Sequence, residues 1–444
     1  MGTRATGTIA QRWLRCGLVA ALLLTAGALV HPATTVRAAT DTVTTCAATG
    51  PGSLPAVLAA AAAGDTITFA QDCTDANAIT LTTVLAPAQD VTIDATAPPH
   101  AVTIDGGGKV TLFFVEYPIT LELRGLTIAH GYGNVGGAIL NSGTVNVVST
   151  TFIGNSAIWG GAINSEAGTV NVVNCAFSGN ATRGAYHGVP LNDMGGAIIN
   201  RGGTLSVVGS TFSDNHTRNG GAIFSMGTLV VTGSSFSGNS AVSGGAIVSA
   251  GTLNLTGSTF STNTANNGGA ISAVGTVNVV NSTFAANTTT NNGGAISTGG
   301  TVSVVGSTFF GNTATSNGGA IDHANGSTLR LALSVVAGNT AGFDPDISGP
   351  INTDGGGNVV GNTAGSSGLA APTDKLNVDP LLAPLGDNGG AVQTFALMPG
   401  SPASGIAPCP TDPITMLPLA TDARGVARPQ GASGKCDAGS YQGA

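Results

Sequence analysis

Apolar and polar residues alternate strictly in short segments that recur along most of the chain. Each segment has the form Gly-Thr-(Val/Leu)-x-(Val/Leu), as at 275–279 and 300–304. Alternation with a period of two predicts strands that bury one face. The residues expected to point inward are Val145, Val147, Val170, Val172, Leu205, Val207, Leu229, Val231, Leu253, Leu255, Val277, Val279, Val302, Val304, Leu329 and Leu331.

The string Gly-Gly-Ala-Ile recurs between these segments. It begins eight times, at positions 136, 160, 195, 220, 244, 268, 293 and 318, and the one long interval contains an insertion over 181–194. A period of about two dozen residues is that of one solenoid coil. We therefore predict an all-β, single-stranded, right-handed parallel β-helix whose coils stack about 4.8 Å apart.

Each coil also carries the motif Phe-x-x-Asn. We expect the Phe rings to form a second buried column and the Asn amides to hydrogen-bond along the axis. The Phe positions are 152, 177, 212, 236, 260, 284 and 309, with Val336 ending the column, and the Asn positions are 155, 180, 215, 239, 263, 287, 312 and 339.

The two ends of the chain depart from the repeat. Arginines followed by an apolar run at 17–30 and a small-residue site predict a cleaved secretory signal over 1–39, and no later stretch reads as a membrane span. Residues 53–63 predict a short helix with Ser53 as its N-cap and Gly64 as its stop. The expected organisation is a cap at 40–64, irregular coils at 65–135, regular coils at 136–340, last irregular coils at 341–375 and a C-terminal segment at 376–444.

Three resemblances to known families follow from these motifs. Gly-Gly-Ala-Ile paired with Phe-x-x-Asn resembles the repeats of polymorphic outer membrane proteins over 136–340. Residues 46–69 look like the cap segment of exported β-helix proteins named for the sequence CSLREAI, with Pro55 in place of its arginine. Residues 346–362, 377–406 and 421–442 are similar to choice-of-anchor Q domain proteins. The resemblances imply an exported β-helix protein with a surface-directed role.

Charge and cysteine content narrow the possible partners. Without residues 1–39 the chain keeps 10 basic and 22 acidic residues, a net charge of −12, which argues against nucleic acid or anionic membranes as partners. Export permits disulfides, and proximity in sequence pairs Cys46 with Cys73 and Cys409 with Cys436. Cys175 stands where neighbouring coils have Ser or Thr, which favours a packed residue over a reactive thiol.

Catalytic motifs are weak. Pectate lyases and polygalacturonases share the parallel β-helix fold, and glycoside hydrolysis needs two nearby carboxylates. Asn-Thr-Asp at 352–354 and His130-Gly131 match parts of polygalacturonase motifs, but the chain lacks an Asp-Asp pair, Gly-His-Gly and Arg-x-Lys. The histidines lack zinc spacing, and the acidic residues at 322, 344, 346 and 354 lack calcium-loop spacing. We expect no enzyme activity, no metal and no cofactor.

The turn before Gly-Gly breaks the pattern in the N-terminal coils. Most coils have small polar residues there, whereas these coils carry bulky ones that we expect to align in one column. Exposed aromatic rings beside arginines suit sugar stacking or protein contact, and ordinary bulky turn residues are the alternative. The candidate ligand-binding residues are Tyr132, Trp159, Arg183, Tyr186, His187 and Arg218, with His216 beside them.

Three functions remain open from the sequence. The first is a non-enzymatic secreted or cell-surface scaffold of adhesin-like type, binding an extracellular glycan or a surface protein. The second is a polysaccharide-active enzyme, either a lyase or a glycosidase. The third is a structural spacer or matrix protein. The aromatic residues favour the first over the third, and the missing carboxylate pair favours it over the second. The oligomeric state stays open.

Overall fold

The computed structural model describes residues 38–444 except 97–98, 184, 187–188, 191–192, 324–325, 430–433 and 444. Over these residues the chain winds into a parallel β-solenoid in which each full coil contributes one strand to each of three sheets. Strands of consecutive coils pair in register, so Thr144 lies beside Thr169 and Val145 beside Val170. The predicted parallel β-helix is confirmed. The predicted signal over 1–39 lies outside the described residues except for its last two.

The three long sheets are formed by strands that follow one another in chain order along the axis. Sheet 1 comprises Thr40–Val43, Asp65–Phe69, Val91–Asp94, Thr120–Arg124, Thr144–Val148, Thr169–Val173, Thr204–Val208, Thr228–Thr232, Thr252–Thr256, Thr276–Val280, Thr301–Val305, Thr328–Ala332 and Thr353–Asp354. Sheet 2 comprises Ile79–Thr80, Val102–Asp105, Leu126–Ala129, Thr151–Ile153, Ala176–Ser178, Thr211–Ser213, Ser235–Ser237, Thr259–Ser261, Thr283–Ala285, Thr308–Phe310, Val335–Ala337, Val359–Val360 and Lys375–Leu376. Sheet 3 comprises Phe113–Val115, Ile139–Asn141, Ile163–Ser165, Ile198–Asn200, Ile223–Ser225, Ile247–Ser249, Ile271–Ala273, Ile296–Thr298, Ile321–His323, Ile347–Pro350 and Ser366–Ser367.

Short strands decorate the turns between sheets 2 and 3 and the C-terminal segment. Ser156–Ala157 pairs with Ala181–Thr182, and Thr264–Ala265, Thr288–Thr289 and Thr313–Ala314 form a three-stranded set. Two antiparallel pairs join Ala185–Tyr186 to Val189–Pro190 and Leu382–Gly386 to Thr394–Leu397. A 3₁₀ turn spans Asp75–Asn77.

The first coil is closed by a strand and a helix. Thr40–Val43, which the sequence pattern did not reveal, pairs with Asp65–Phe69 and forms the edge of sheet 1. The helix spans Leu54–Ala60 and buries Leu54 and Leu58. Ser53 occupies the N-cap position, but its hydroxyl donates to the carbonyl of Gly50 at 2.7 Å and caps no helical N–H. The helix ends at Ala60, before Gly64, so the expected glycine stop was wrong.

Aliphatic and aromatic columns fill the interior. All sixteen predicted inward residues of sheet 1 are at most 1% exposed, so their assignment is confirmed. The Phe rings of successive coils stack nearly parallel, with centroids 4.5 to 5.0 Å apart. This separation is the coil spacing itself, so one ring per coil fills the column without gaps.

The Asn column forms the predicted hydrogen-bonded ladder. The Oδ1 of Asn263 accepts the backbone N–H of Asn239 at 3.1 Å and its Nδ2 at 3.0 Å. The same Nδ2 of Asn239 donates to the carbonyl of Phe212 at 2.9 Å. Since every ladder amide is buried, these bonds satisfy polar groups that water does not reach.

A carboxylate ends this ladder. Asn339 donates its Nδ2 to the Oδ1 of Asp346 at 2.8 Å, and the Oδ2 of Asp346 accepts the N–H of Asn362 at 2.7 Å. Both oxygens of Asp346 face donors, whereas an asparagine would present an N–H to the N–H of Asn362. Burial raises the pKa of Asp346 to about 6.

The paired glycines allow coils to approach each other. The first glycine of each pair is left-handed, as in Gly244 with φ of 58°. A Cβ on the second, as at Gly245, would lie 2.1 Å from the carbonyl oxygen of Gly269 in the next coil. Both positions therefore exclude a side chain, the first by conformation and the second by contact.

The C-terminal segment folds back along the outside of the solenoid. The hydroxyl of Thr259 donates to the carbonyl of Gln393 at 2.7 Å, and the amide of Asn281 donates to the carbonyl of Thr421 at 2.7 Å. The segment covers a second apolar core formed by outward-facing residues of the regular coils and by its own side chains. This core includes Val280, Val305, Leu333, Val335, Ala403, Ile406, Leu419, Cys436 and Ala438.

Two arginines fasten this segment. The buried guanidinium of Arg428 donates to the carbonyls of Asp437 at 2.6 Å and Gly439 at 2.5 Å. Arg424 pairs with Asp422 at 2.6 Å and lies 3.7 Å above the ring of Tyr441. The disulfides Cys46–Cys73 and Cys409–Cys436 are confirmed, and Cys175 is a buried free thiol.

Replacing one ladder amide tests the contribution of the ladder. Asn263→Ala leaves the backbone N–H and the Nδ2 of Asn239 without their acceptor. We therefore expect the free energy of unfolding to fall by about 2 to 4 kcal/mol, measured by urea denaturation. Asn278→Ala is the matched control, because its half-buried amide makes a 2.9 Å bond to Asn254 on the outer face. We expect the control to cost at most about 1 kcal/mol. Equal losses would contradict the role of the ladder.

Candidate functional site

Arg183, in the insertion, reaches back across two coils to Tyr132. Its guanidinium carbon lies 4.1 Å from the centroid of the Tyr132 ring, and Nη1 contacts the phenolic oxygen. Nη2 donates to the carbonyl of Gly133 at 2.5 Å and to the Oδ1 of Asn134 at 3.2 Å. These contacts hold the guanidinium over the Tyr132 ring. Tyr132 as a whole residue remains 37% exposed.

Trp159 forms a second pair with Arg201, a residue that the sequence analysis did not select. The guanidinium carbon of Arg201 lies 4.6 Å from the ring centroid of the half-buried Trp159. Arg201 also lies 3.6 Å from the carboxylate of Glu166, which accepts the amide of Asn164 at 2.9 Å. The sequence pattern does not mark Arg201 as a site residue, because it directly follows a strand of sheet 3 and does not lie in the irregular turn before Gly-Gly.

The expectation of a single column for these residues is wrong. Bridges align Tyr132 with Ser156, and that position continues through Ala181 to His216. Trp159 belongs to a separate column between Val135 and Met194. The turn between sheets 2 and 3 crosses the surface, so residues a few positions apart in it lie side by side rather than one above another.

The structure gives fewer contacts for the other predicted site residues, Arg218, His216, Tyr186 and His187. Arg218 is exposed, as is His216, and the carbonyl of Arg218 accepts the N–H groups of Val242 and Ser243. Tyr186 lies in the strand pair of the insertion, but its side chain and all of His187 lie outside the described residues. We call Tyr132, Trp159, Arg183, Arg201 and Arg218 the aromatic–arginine surface.

The outer face of sheet 3 changes along the axis beside this surface. Its middle positions run from Asn164 through Ile199 and Phe224 to Val248, and continue with Ser272 in the later coils. Asn164 and Ile199 are fully buried although they alternate with inward residues, and Phe224 is 9% exposed. The alternation alone would have assigned these positions to solvent.

A pair of carboxyl groups lies in the last coils. Asp354 accepts the N–H groups of Ala370 and Ala371, each at 2.7 Å. Burial opposes its ionisation, but these N–H groups hold the pKa of Asp354 below its usual value. Burial raises the pKa of the neighbouring Asp374 to about 6, and the charge of Asp354 adds to that effect. The sequence contains no Asp-Asp dipeptide, but the fold brings the carboxyl groups of Asp354 and Asp374, 20 positions apart in sequence, next to each other.

Three of the four oxygens of this pair accept hydrogen bonds within the fold, whereas the buried Oδ2 of Asp374 has no hydrogen-bond donor among the described residues. Besides the two loop N–H groups, Asp354 accepts the N–H of Gly356 at 3.0 Å and the amide of Asn358 at 3.1 Å. Asp374 accepts the N–H of Asn358 at 2.9 Å. The pair thus organises the loops of the last coils. Across the described part of the chain, no three His, Cys, Asp or Glu side chains converge as metal ligands.

The carboxyl pair predicts a pH-dependent stability. Asp374 binds a proton in the folded chain up to about pH 6, whereas the unfolded side chain releases it near 3.8. Its contribution therefore favours folding most at or below about pH 4 and is lost as the pH rises to about 6. We expect Asp374→Asn to reduce the fall in unfolding free energy between those pH values, measured by urea denaturation. Asp379→Asn, at an exposed carboxyl, is the control, and equal slopes in all three proteins would contradict the assignment.

Comparison with known proteins identifies part of the repeat. Residues 149–166, 209–226 and 306–323 match the Chlamydia polymorphic membrane protein repeat. Each matched stretch runs from the end of a sheet 1 strand through Phe-x-x-Asn to the sheet 3 strand after Gly-Gly-Ala-Ile. No curated protein matches the chain. No helix in the described ranges is both long and apolar enough to cross a membrane. Three coils of the parallel β-solenoid therefore match this repeat.

Proposed function

We propose that this chain is a non-enzymatic, adhesin-like β-helix protein that binds an extracellular glycan or a surface protein through the aromatic–arginine surface. The observation that supports this most is the stacking of two guanidinium groups on two aromatic rings in neighbouring coils. Rings held in fixed positions lose little freedom on binding, which favours recognition of a flat sugar or a partner side chain.

The repeat supports a surface location for this activity. The family whose repeat matches is described as a membrane protein family, which is consistent with display at the outer membrane or cell surface. The sequence features expected of an exported chain agree with this: the signal-like segment over 1–39 and the similarity to choice-of-anchor Q and CSLREAI-type segments. We propose export and surface display on these grounds.

The last coils give little support to the enzymatic alternative. The carboxyl pair of Asp354 and Asp374 lies where loops are anchored, and Asp354 already accepts four N–H groups. A general acid or nucleophile needs an oxygen directed at substrate. We therefore propose that these carboxylates serve folding rather than hydrolysis.

Removing the two rings tests the proposed binding. The intact chain is applied to an array of polysaccharides and to immobilised cell-surface proteins. Retention is measured for the parent chain and for the double variant Tyr132→Ala with Trp159→Ala. We expect the variant to lose about tenfold or more in retention, because each ring contributes on the order of 1 kcal/mol of contact. Tyr117→Ala is the control, since Tyr117 is 83% exposed and lies outside the surface.

The same screen separates binding from catalysis. Each polysaccharide is assayed for new reducing ends and for unsaturated ends after incubation. Turnover that Asp374→Asn abolishes would overturn the non-enzymatic proposal. Retention that survives the double ring variant would place the binding site elsewhere.

A further inference from the structure

We infer that the aromatic–arginine surface selects acidic polysaccharides, whose carboxylate or sulfate groups pair with guanidinium groups while sugar rings contact the aromatic residues. The inference rests on the proposed function and names the ligand class of the same surface. It depends on charges that the protein leaves without an opposite partner.

Arg183 carries the first such charge. Its described hydrogen bonds go to Tyr132, Gly133 and Asn134, all neutral acceptors. Among the described ion pairs none involves Arg183, and the undescribed positions of the insertion, at 184, 187–188 and 191–192, contain no acidic residue. The guanidinium is thus held in place by neutral groups and keeps its full positive charge.

Arg218 and Arg201 extend the positive character across neighbouring coils. Arg218 is exposed and takes part in none of the described ion pairs. Arg201 is 3.6 Å from Glu166, a distance longer than a good charge-assisted hydrogen bond. The Arg201 guanidinium is therefore only partly neutralised by Glu166, and its contribution to anion binding is smaller than that of Arg183.

The surrounding charge makes this surface distinctive. The whole chain is acidic, with a formal net charge of −8, yet 125–329 holds three arginines against four acids. Of those acids, Asp193 is 1% exposed, Asp214 directly follows a sheet 2 strand, and Asp322 lies in the eighth Gly-Gly-Ala-Ile coil, far along the axis from the surface. Among the described ion pairs, Glu166 is the one acid that contacts an arginine of the surface, Arg201. Because the Arg183 guanidinium lies over Tyr132, two coils before its own backbone, and Arg201 lies over Trp159, the charges are spread along the axis over several coils, a span that a polymer of charged sugars can follow.

Matched pairs of polymers test the inference on the full chain. Polygalacturonate is compared with its fully methyl-esterified form, and dextran sulfate with dextran, by biolayer interferometry. We expect each acidic polymer to bind about tenfold or more tightly than its neutral counterpart, and raising the salt from about 0.05 M to about 0.5 M to weaken that binding. Arg183→Gln should remove most of the preference.

Arg330→Gln is the control variant, because it removes the same charge from the outer face of sheet 1. We expect it to keep the preference for the acidic polymers. Equal binding of acidic and neutral partners, binding of neither acidic polymer, or equal losses in both variants would overturn the inference. The proposed function would survive these results if the wider screen still returned a partner that requires Tyr132 and Trp159, and it would fail with the inference if that screen returned none.

Discussion

The regular coils depend on the buried Asn ladder, which keeps each of them in axial register with its neighbours from Asn155 to Asn339. An amide inside the ladder accepts two hydrogen bonds from the coil before and donates to the coil after and to a Phe carbonyl, as Asn239 does. A shift by one residue would leave these buried donors and acceptors unpaired. The same register aligns the Phe rings at the coil spacing and places each second glycine against the carbonyl of the next coil. The ladder, the aromatic stack and the glycines therefore require one another.

The repeat pairs each coil with the next, so the two ends of the solenoid and its apolar outer positions need other contacts to cover them. At the N-terminal end, Thr40–Val43 and the helix Leu54–Ala60 close the first coil. Near the C-terminal end, Asp346 replaces the ladder amide and accepts from both sides. The C-terminal segment covers outward-facing Val280 and Val305, which the repeat alone would expose. Val208 occupies the same position in an earlier coil and is 39% exposed, so the C-terminal segment covers only part of this column.

The features that repeat could be predicted, and those that join distant parts of the chain could not. The sixteen inward residues, the Phe and Asn columns and the two disulfides follow from period and proximity, and the structure confirms them. Arg201 on Trp159, Asp354 beside Asp374 and the fold-back of the C-terminal segment arise from contacts between residues that share no periodic relation. The single column of bulky residues was wrong because sequence spacing within a turn does not report whether the turn runs along the axis or across it.

The insertion shows why recognition is expected where the period lapses. Within the regular coils each side chain has a neighbour of the same kind above and below, so any ligand contact there would be shared by every coil. Arg183 breaks this equivalence, since it spans two coils to reach Tyr132 and places its guanidinium over that ring. Its neutral hydrogen-bond partners hold it without cancelling that charge. A guanidinium held over an aromatic ring by neutral groups offers a ligand a planar cation at a fixed position, which a neutral side chain filling the same space would not offer.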